Sequence, residues 1–292
     1  MVGDELPSML LRLTFRGFQE RFSFTLTGRS PANVPTLPSV IGLSDIGRAR
    51  ARNEDSVRLI PDLGVAVVAD GMGGHPGGDV ASRIAAETAA DVLAEALRAI
   101  SSAQDVADEM RVAMSRSVAR AHEGIREHGE EVPELQGMGT TLTAMAVEPG
   151  SGLFVLGHVG DSRAYLYRDG VLTQLTRDDT WVQDRIEAEQ LTAEQARRHP
   201  FGHLLTQCLG LDLPPVPHIL EGRVEKGDAY LLCTDGLVGM LDDDELAEIL
   251  AEHVGGNGSE VADDGPVRAL LEAANEAGGL DNITAALVHI RI

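Results

Sequence analysis

Three short apolar runs in this 292-residue chain each end in an aspartate, and a fourth aspartate stands just ahead of the last such run. Asp70 closes Val65-Ala-Val-Val-Ala69 and is followed by Gly71-Met-Gly-Gly74. Asp161 closes Phe154-Val-Leu-Gly-His-Val-Gly160, and Asp235 closes Tyr230-Leu-Leu-Cys-Thr234 ahead of Gly236. Asp281 follows Gly278-Gly-Leu280 and precedes Asn282 and the terminal run Ile283–Ile290. Runs of four to eight apolar, β-branched residues bounded by glycine read as strands buried on both faces. A carboxylate at the edge of such a strand is costly to desolvate unless something cationic compensates it. Hard divalent cations take such ligands, carboxylate and backbone carbonyl oxygens. A lone Asp-Gly is ordinarily only a turn, whereas four together, with Glu54-Asp55 besides, point to a metal cluster.

Between these runs the periodicity changes. Residues 79–97 and 104–128 carry apolar positions at helical spacing, Val80/Ile84/Val92 and Met110/Met114/Val118/Ala121/Ile125. Strands are expected over 63–70, 140–147, 153–159, 164–167, 171–175, 229–234 and 283–290, with Arg168-Asp-Gly170 as a hairpin turn. Helices are expected over 243–252 and 267–277, where the acidic run Asp242–Glu245 suits a helix start. Residues 180–205 read as a helical, charged insertion. Strands in adjacent pairs and helices in groups favour an α+β fold of helix-covered sheets.

Charge narrows the partners. The chain carries 46 acidic and 24 basic residues, a net charge of −22, and Lys226 is its single lysine. Nucleic acid is therefore excluded as the main partner, because a phosphate backbone demands the opposite sign. No run approaches the roughly 18–20 apolar residues of a membrane span, and Met9–Leu11 is too short for a signal-peptide core. Two cysteines, Cys208 and Cys233, suit a reducing compartment, and the expected location is cytoplasmic. The acidity is absent from residues 1–38, where Arg12, Arg16, Arg21 and Arg29 face Asp4, Glu5 and Glu20. That piece ends in the proline-spaced stretch Pro31–Pro38, so a flexible extension over 1–38 and a domain over 39–292 are expected. Leu11, Phe15, Phe18 and Phe22 also make a helical stripe able to dock on a membrane surface or partner; Phe22, Phe24 and Leu26 alternate as in a strand. An overlong translation start is a further reading.

Arg48, Arg50 and Arg52 alternate just before Glu54 and Asp55. As a strand they would line one face, and a planar guanidinium beside oxygen ligands suits a phosphate ester.

These pieces carry a family resemblance. Ser44-Asp-Ile-Gly-x-x-Arg50-x-x-Asn-Glu-Asp-Ser56, Ala69-Asp-Gly-Met-Gly-Gly-His75, Gly137-Met-Gly-Thr-Thr-Leu142, His158-Val-Gly-Asp-Ser-Arg163, Leu175-Thr-x-Asp-Asp-Thr180, Leu232-Cys-Thr-Asp-Gly-Leu237 and Gly279-Leu-Asp-Asn-Ile-Thr284 occur in this order. The chain resembles the metal-dependent protein serine/threonine phosphatases (PPM, type 2C) of the compact bacterial kind. The resemblance implies an α-β-β-α sandwich, two stacked antiparallel sheets flanked by helices, with the metal site at one edge between the sheets. It implies two Mn²⁺ or Mg²⁺ ions bridged by Asp70, with the Gly71 carbonyl on one and Asp235 and Asp281 on the other. Glu54 would hold a water of the metal site, Asp55 would stand behind the ligands, and Asp161 with Asp235 would take a weaker third ion. Arg50 matches the phosphate-gripping arginine; Arg48 and Arg52 do not. The implied activity is hydrolysis of phosphoserine and phosphothreonine on substrates of serine/threonine kinases by metal-activated water, without a phosphoenzyme. Pro214 and Gly239 stand six residues after the two cysteines, where a thiolate phosphatase has arginine.

The general acid is unassigned. Eukaryotic members place a histidine where Met72 stands, and His75 is expected to cap the following helix or contact the glycine loop. Gly139-Thr-Thr-Leu142 is expected to start a strand, and His199 to anchor a loop in the 180–205 flap, which is expected to influence which phosphoproteins bind. A scaffold that only binds phosphoproteins, and a phosphatase dedicated to one phosphorylated regulator, are the other readings.

Overall fold

A computed structural model of the chain describes residues 38–72, 77–100, 105–254 and 264–291. The expectations for residues 1–37 and for His75 lie outside the described residues.

Among the described residues, ten strands form two five-stranded sheets, antiparallel throughout. One has the order β1-β10-β9-β6-β7 and the other β2-β3-β4-β5-β8. The first comprises β1 (Pro38–Asp45), β6 (Arg163–Arg168), β7 (Val171–Gln174), β9 (Ala229–Cys233) and β10 (Ile283–Ile290). The second comprises β2 (Asp55–Ile60), β3 (Val65–Asp70), β4 (Leu142–Glu148), β5 (Leu153–Val159) and β8 (His218–Arg223). Helices α1 (Gly78–Ala99) and α2 (Val106–Glu131) follow β3; α3 (Trp181–Glu187) and α4 (Ala193–Arg197) follow β7. Helices α5 (Asp235–Val238), α6 (Asp243–Val254) and α7 (Gly265–Glu276) lie between β9 and β10.

The side-chain alternation of the strands builds the layers. In β3, Val65, Val67 and Ala69 pack with Ala85, Leu93, Met114 and Ile125 of α1 and α2, while Ala66 and Val68 face the other sheet. In β9, Leu231 and Cys233 pack with Leu246, Leu250 and Leu270 of α6 and α7, while Tyr230 and Leu232 face inward. The inner layer joins Val68, Met145 and Leu156 of one sheet to Tyr230, Leu232, Ala286 and Val288 of the other. The result is helix, sheet, sheet, helix, as the resemblance implied. Both faces of β3, β9 and β10 are buried, so their sequences read as unbroken apolar runs.

Other expectations are corrected. Arg48, Arg50 and Arg52 are not in a strand: β1 ends at Asp45 and β2 starts at Asp55, and a turn-rich loop carries the three arginines between them. Residues 180–205 hold only two short helices. Asp242 caps α6, its Oδ1 accepting from Asp244 and Glu245 N–H while Glu245 Oε2 accepts from Asp242 N–H, which agrees with the helix start read there. Among the described residues no helix is long and apolar enough to cross a membrane.

Leu232 is fully buried in the inner layer, three residues before Asp235. Leu232→Ala is expected to cost about 2–5 kcal/mol of stability, read as a lower urea midpoint; an unchanged midpoint would refute this account of the inter-sheet core.

Candidate active site

Antiparallel pairing delivers the acidic residues to one end of the sandwich. The β2–β3 register sets Asp55, first residue of β2, opposite Asp70, last residue of β3. Asp161 lies between the end of β5 and the start of β6, Asp235 follows β9, and Asp281 precedes β10. Their charges act on one another. Burial raises the Asp70 carboxyl well above its ordinary pKa, and the carboxylates of Asp55, Asp235, Asp161 and Asp281 raise it further. Burial pushes Asp55 up to about 7 against hydrogen bonds from Thr284 and Thr234, with Asp235 and Asp281 adding to the rise. Asp161 is likewise pushed up to about 7 by burial, then by Asp235 and Asp178. The sequence-derived aspartates thus act on one another at one end of the sandwich.

Neutral groups hold these carboxylates in place. Asp70 N–H donates to Thr141 Oγ1 at 2.9 Å, and Thr140 Oγ1 donates to Asp70 O at 2.8 Å. Thr141 Oγ1 also bonds Ser162 Oγ at 2.7 Å, beside Asp161. Thr234 Oγ1 donates to Asp55 Oδ2 at 2.8 Å. Asn282 Oδ1 accepts from Glu54 N–H at 2.8 Å, and its Nδ2 donates to Ile46 O and Arg52 O, so one amide fixes both ends of the arginine loop. Ser82 Oγ on α1 donates to Glu54 O at 2.6 Å. Gly71 N–H donates to the same carbonyl at 3.1 Å. A Cβ on Gly71 would stand 2.1 Å from Gly78 O, so the backbone approach at this turn admits glycine alone.

Cations reach the cluster at its edge. Arg50 Nη2 donates to Asp281 Oδ2 at 2.6 Å, and this contact raises the arginine's pKa. The Arg50 side chain remains 48% exposed. His203, from the 180–205 segment, places Nδ1 3.8 Å from Asp235 Oδ2, and that carboxylate raises its pKa. Among the described residues no arginine or lysine pairs with Asp55, Asp70, Asp161 or Asp235. No three Asp, Glu, His or Cys side chains among them close into a ready-made metal cage either. The donor set still suits hard divalent cations: it is all oxygen, it sits at the rim of a core, and its mutual repulsion calls for positive charge.

Sequence reading singled out the acidic residues, Gly71 and Arg50 but not Ser82, and it took Ser162, Thr234 and Asn282 only as parts of motifs. Thr140 and Thr141, expected inside the start of the strand, stand just before β4, and they also clamp Asp70. His199 is the loop anchor expected, stacked on Trp181 with ring centroids 4.9 Å apart. Replacing the Asp70 clamp by an isostere, Thr141→Val, leaves a main-chain N–H without its acceptor; a loss of about 1–3 kcal/mol and weaker Mn²⁺ uptake are expected in denaturation and calorimetry, and wild-type values in both would remove Thr141 from the site.

With this geometry in place, three comparisons bear on it. The model of the family described as "Protein phosphatase 2C" matches residues 48–271. Serine/threonine protein phosphatase PstP of Mycobacterium tuberculosis is 38% identical over 248 residues, which cover 85% of this chain and 44% of PstP. The chain therefore spans less than half the length of that relative. Protein phosphatase PhpP of Streptococcus pneumoniae is 33% identical over 251 residues, 85% of this chain and 96% of PhpP. The catalytic domain of PstP, solved in complex with two manganese ions, superposes with a TM-score of 0.71 at 34% identity, covering 88% of this chain and 100% of that one. Motif order, sandwich topology and family match agree: the chain belongs to the protein phosphatase 2C family.

Proposed function

We propose that this chain is a metal-dependent phosphatase that hydrolyses phosphoserine and phosphothreonine on proteins. The observation that carries this reading is the convergence of Asp70, Asp161, Asp235 and Asp281 on one rim, with burial and mutual repulsion raising Asp70. The PstP catalytic domain, solved in complex with two manganese ions, supports the metal dependence in this reading.

Asp70 and the Gly71 carbonyl, with Asp235 and Asp281, are the groups proposed to hold two Mn²⁺ or Mg²⁺ ions, and Asp161 with Asp235 a weaker third. Bound there, such ions supply Lewis acidity, acidifying water and drawing charge from the phosphoryl oxygens. The chain's own residues do the rest. Asp281 is shared with Arg50, so Arg50 exchanges that carboxylate for the substrate phosphate, gripping two oxygens with its planar fork. Glu54, held through its backbone by Asn282 and Ser82, orients the attacking water. Asp55, fixed by Thr234, supports the ligands from behind. In-line attack then expels the serine or threonine alkoxide. The buried thiols of Cys208 and Cys233 are both pushed up, to about 11 and about 12, by burial, and neither is suited to act as a nucleophile. Substrates are proposed to be phosphoproteins made by serine/threonine kinases. A location in the cytoplasm completes the proposal.

The purified chain with Mn²⁺ should release phosphate from p-nitrophenyl phosphate and from phosphothreonine peptides, and should lose this on chelation; inactivity with metal bound would leave a phosphoprotein-binding scaffold. Asp70→Asn is expected to raise the melting temperature of the metal-free protein by removing one of several repelling buried charges, to abolish the Mn²⁺-induced rise, and to cut turnover about 100-fold or more. A variant that still gains stability from Mn²⁺ would displace Asp70 from the bridging role. Arg50→Ala should raise KM for phosphopeptide about 10-fold while stability shifts by less than about 0.5 kcal/mol. Unchanged KM and kcat would void the phosphate clamp.

A further inference from the structure

One buried carboxylate outside the proposed chemistry sits at the neck of the 180–205 segment. Asp179 follows β7, and its side chain is 1% exposed. Its N–H donates to Gly160 O at 2.7 Å, and its Oδ2 accepts from Gly160 N–H at 3.1 Å. Both main-chain polar groups of the residue before Asp161 therefore end on Asp179. Oδ1 accepts from His218 Nε2 on β8 at 2.8 Å and from Gln207 Nε2 at 3.3 Å, with Arg177 Nη1 at 3.6 Å. The Asp179 carbonyl accepts from Thr206 N–H at 2.8 Å. Burial alone would raise this carboxyl; the bonds from His218 and Gly160 outweigh it and hold Asp179 below the ordinary carboxylate range, so it stays ionised.

The next residues close the neck. Thr180 caps α3 through Gln183 N–H and bridges to Leu205, and Trp181 N–H donates to Leu204 O at 2.8 Å. One side chain thus joins the departing strand of the segment, its return, β8 and the turn that carries Asp161. On the other side of Asp161, Ser162 is held by Thr141. Gly160 has φ of +109°, and a Cβ there would stand 2.6 Å from Thr141 Cγ2, so its two hydrogen bonds to Asp179 fix a turn that has no side chain of its own.

We infer that Asp179 is a positioning residue: it aims Asp161 for divalent-cation binding and couples the 180–205 segment to occupancy of that cation. The inference rests on the proposed metal-dependent function. It predicts reciprocity, since a cation that favours one placement of Asp161 must also favour the neck attached to it.

The test uses the full chain and Mn²⁺ alone, followed by calorimetric titration and by trypsin cleavage at the exposed Arg197-Arg198 of the segment. Asp179→Asn keeps the shape but sets an amide donor against Gly160 N–H or the His218 and Gln207 donors. It is expected to weaken the Asp161-dependent uptake about 10- to 100-fold, to leave the Asp70-dependent uptake in place, and to remove the protection from trypsin that Mn²⁺ gives the unmodified chain. His218→Leu should reproduce these effects, whereas His218→Gln, which keeps a donor, should restore them toward the unmodified values. A lower melting temperature with the full Mn²⁺ isotherm and full protection would reduce Asp179 to a structural part and overturn the inference. Asp161→Asn separates the two levels. If it removes the weaker uptake while Asp179→Asn does not, the positioning role falls and the metal reading stands. If it too leaves the isotherm intact, the metal role of Asp161 falls, and the inference with it.

Discussion

Repulsion among buried carboxylates is the constraint around which this molecule is arranged. Five acidic residues from four distant stretches of chain meet at one rim, and burial and the other four carboxylates together raise Asp70. Left ionised and unpaired, such a group costs several kcal/mol of stability, so the rim stores unfavourable energy in the metal-free chain. Two large apolar clusters with the helices and a third between the sheets hold the strand ends together against it. The same repulsion becomes affinity when positive charge arrives, which is why a stable core and a strained edge belong to one design.

The residues that steady the rim are almost all neutral: Thr140, Thr141, Thr234, Ser82 and Asn282. A lysine or arginine in those places would also fix the carboxylates, but it would cancel the charge that a divalent cation needs. Hydroxyls and amides supply geometry without neutralisation. Arg50 is the exception, and it comes from a half-exposed loop rather than a strand. Its 2.6 Å contact with Asp281 is therefore one that, in the proposed role, a phosphate would replace without unpacking the core.

How much of this was legible depends on the range of the interactions involved. The central strands β3, β9 and β10 are buried on both faces, and their apolar runs announce them. Edge strand β8, His-Ile-Leu-Glu-Gly-Arg, is half-buried apart from the exposed Glu221 and Arg223 and carries no alternation strong enough to separate it from a loop. β1 runs into a proline-spaced stretch that reads as linker. Arg48, Arg50 and Arg52 alternate as a strand would, yet a turn at Gly47–Ala49 and the grip of Asn282 on both loop ends override that pattern. The acidic residues were readable because each sits next to a local marker, an apolar run or a glycine. Their supports were not: Thr234 meets Asp55 across 179 residues of sequence, and Asn282 meets Glu54 across 228. Nothing local in either stretch marks such a pairing.

The rim also divides mechanically. Asp55 and Asp70 sit opposite each other in a paired strand register, and Asp70 is clamped on both main-chain groups by the threonines before β4. Asp161 has no strand of its own; Ser162 ties it to Thr141, and Gly160 ties it to Asp179, which also holds both sides of the segment neck. One flank of the site is therefore set by sheet hydrogen bonds, which move only with the core. The other is set by the buried, hydrogen-bonded Asp179 carboxylate at the root of an exposed segment whose His203 reaches back to Asp235. Under the proposed function, a site with one flank held by sheet bonds and one held through the segment would keep its main charge cluster while the segment meets a phosphoprotein. The single carboxylate of Asp179 is where those two requirements meet.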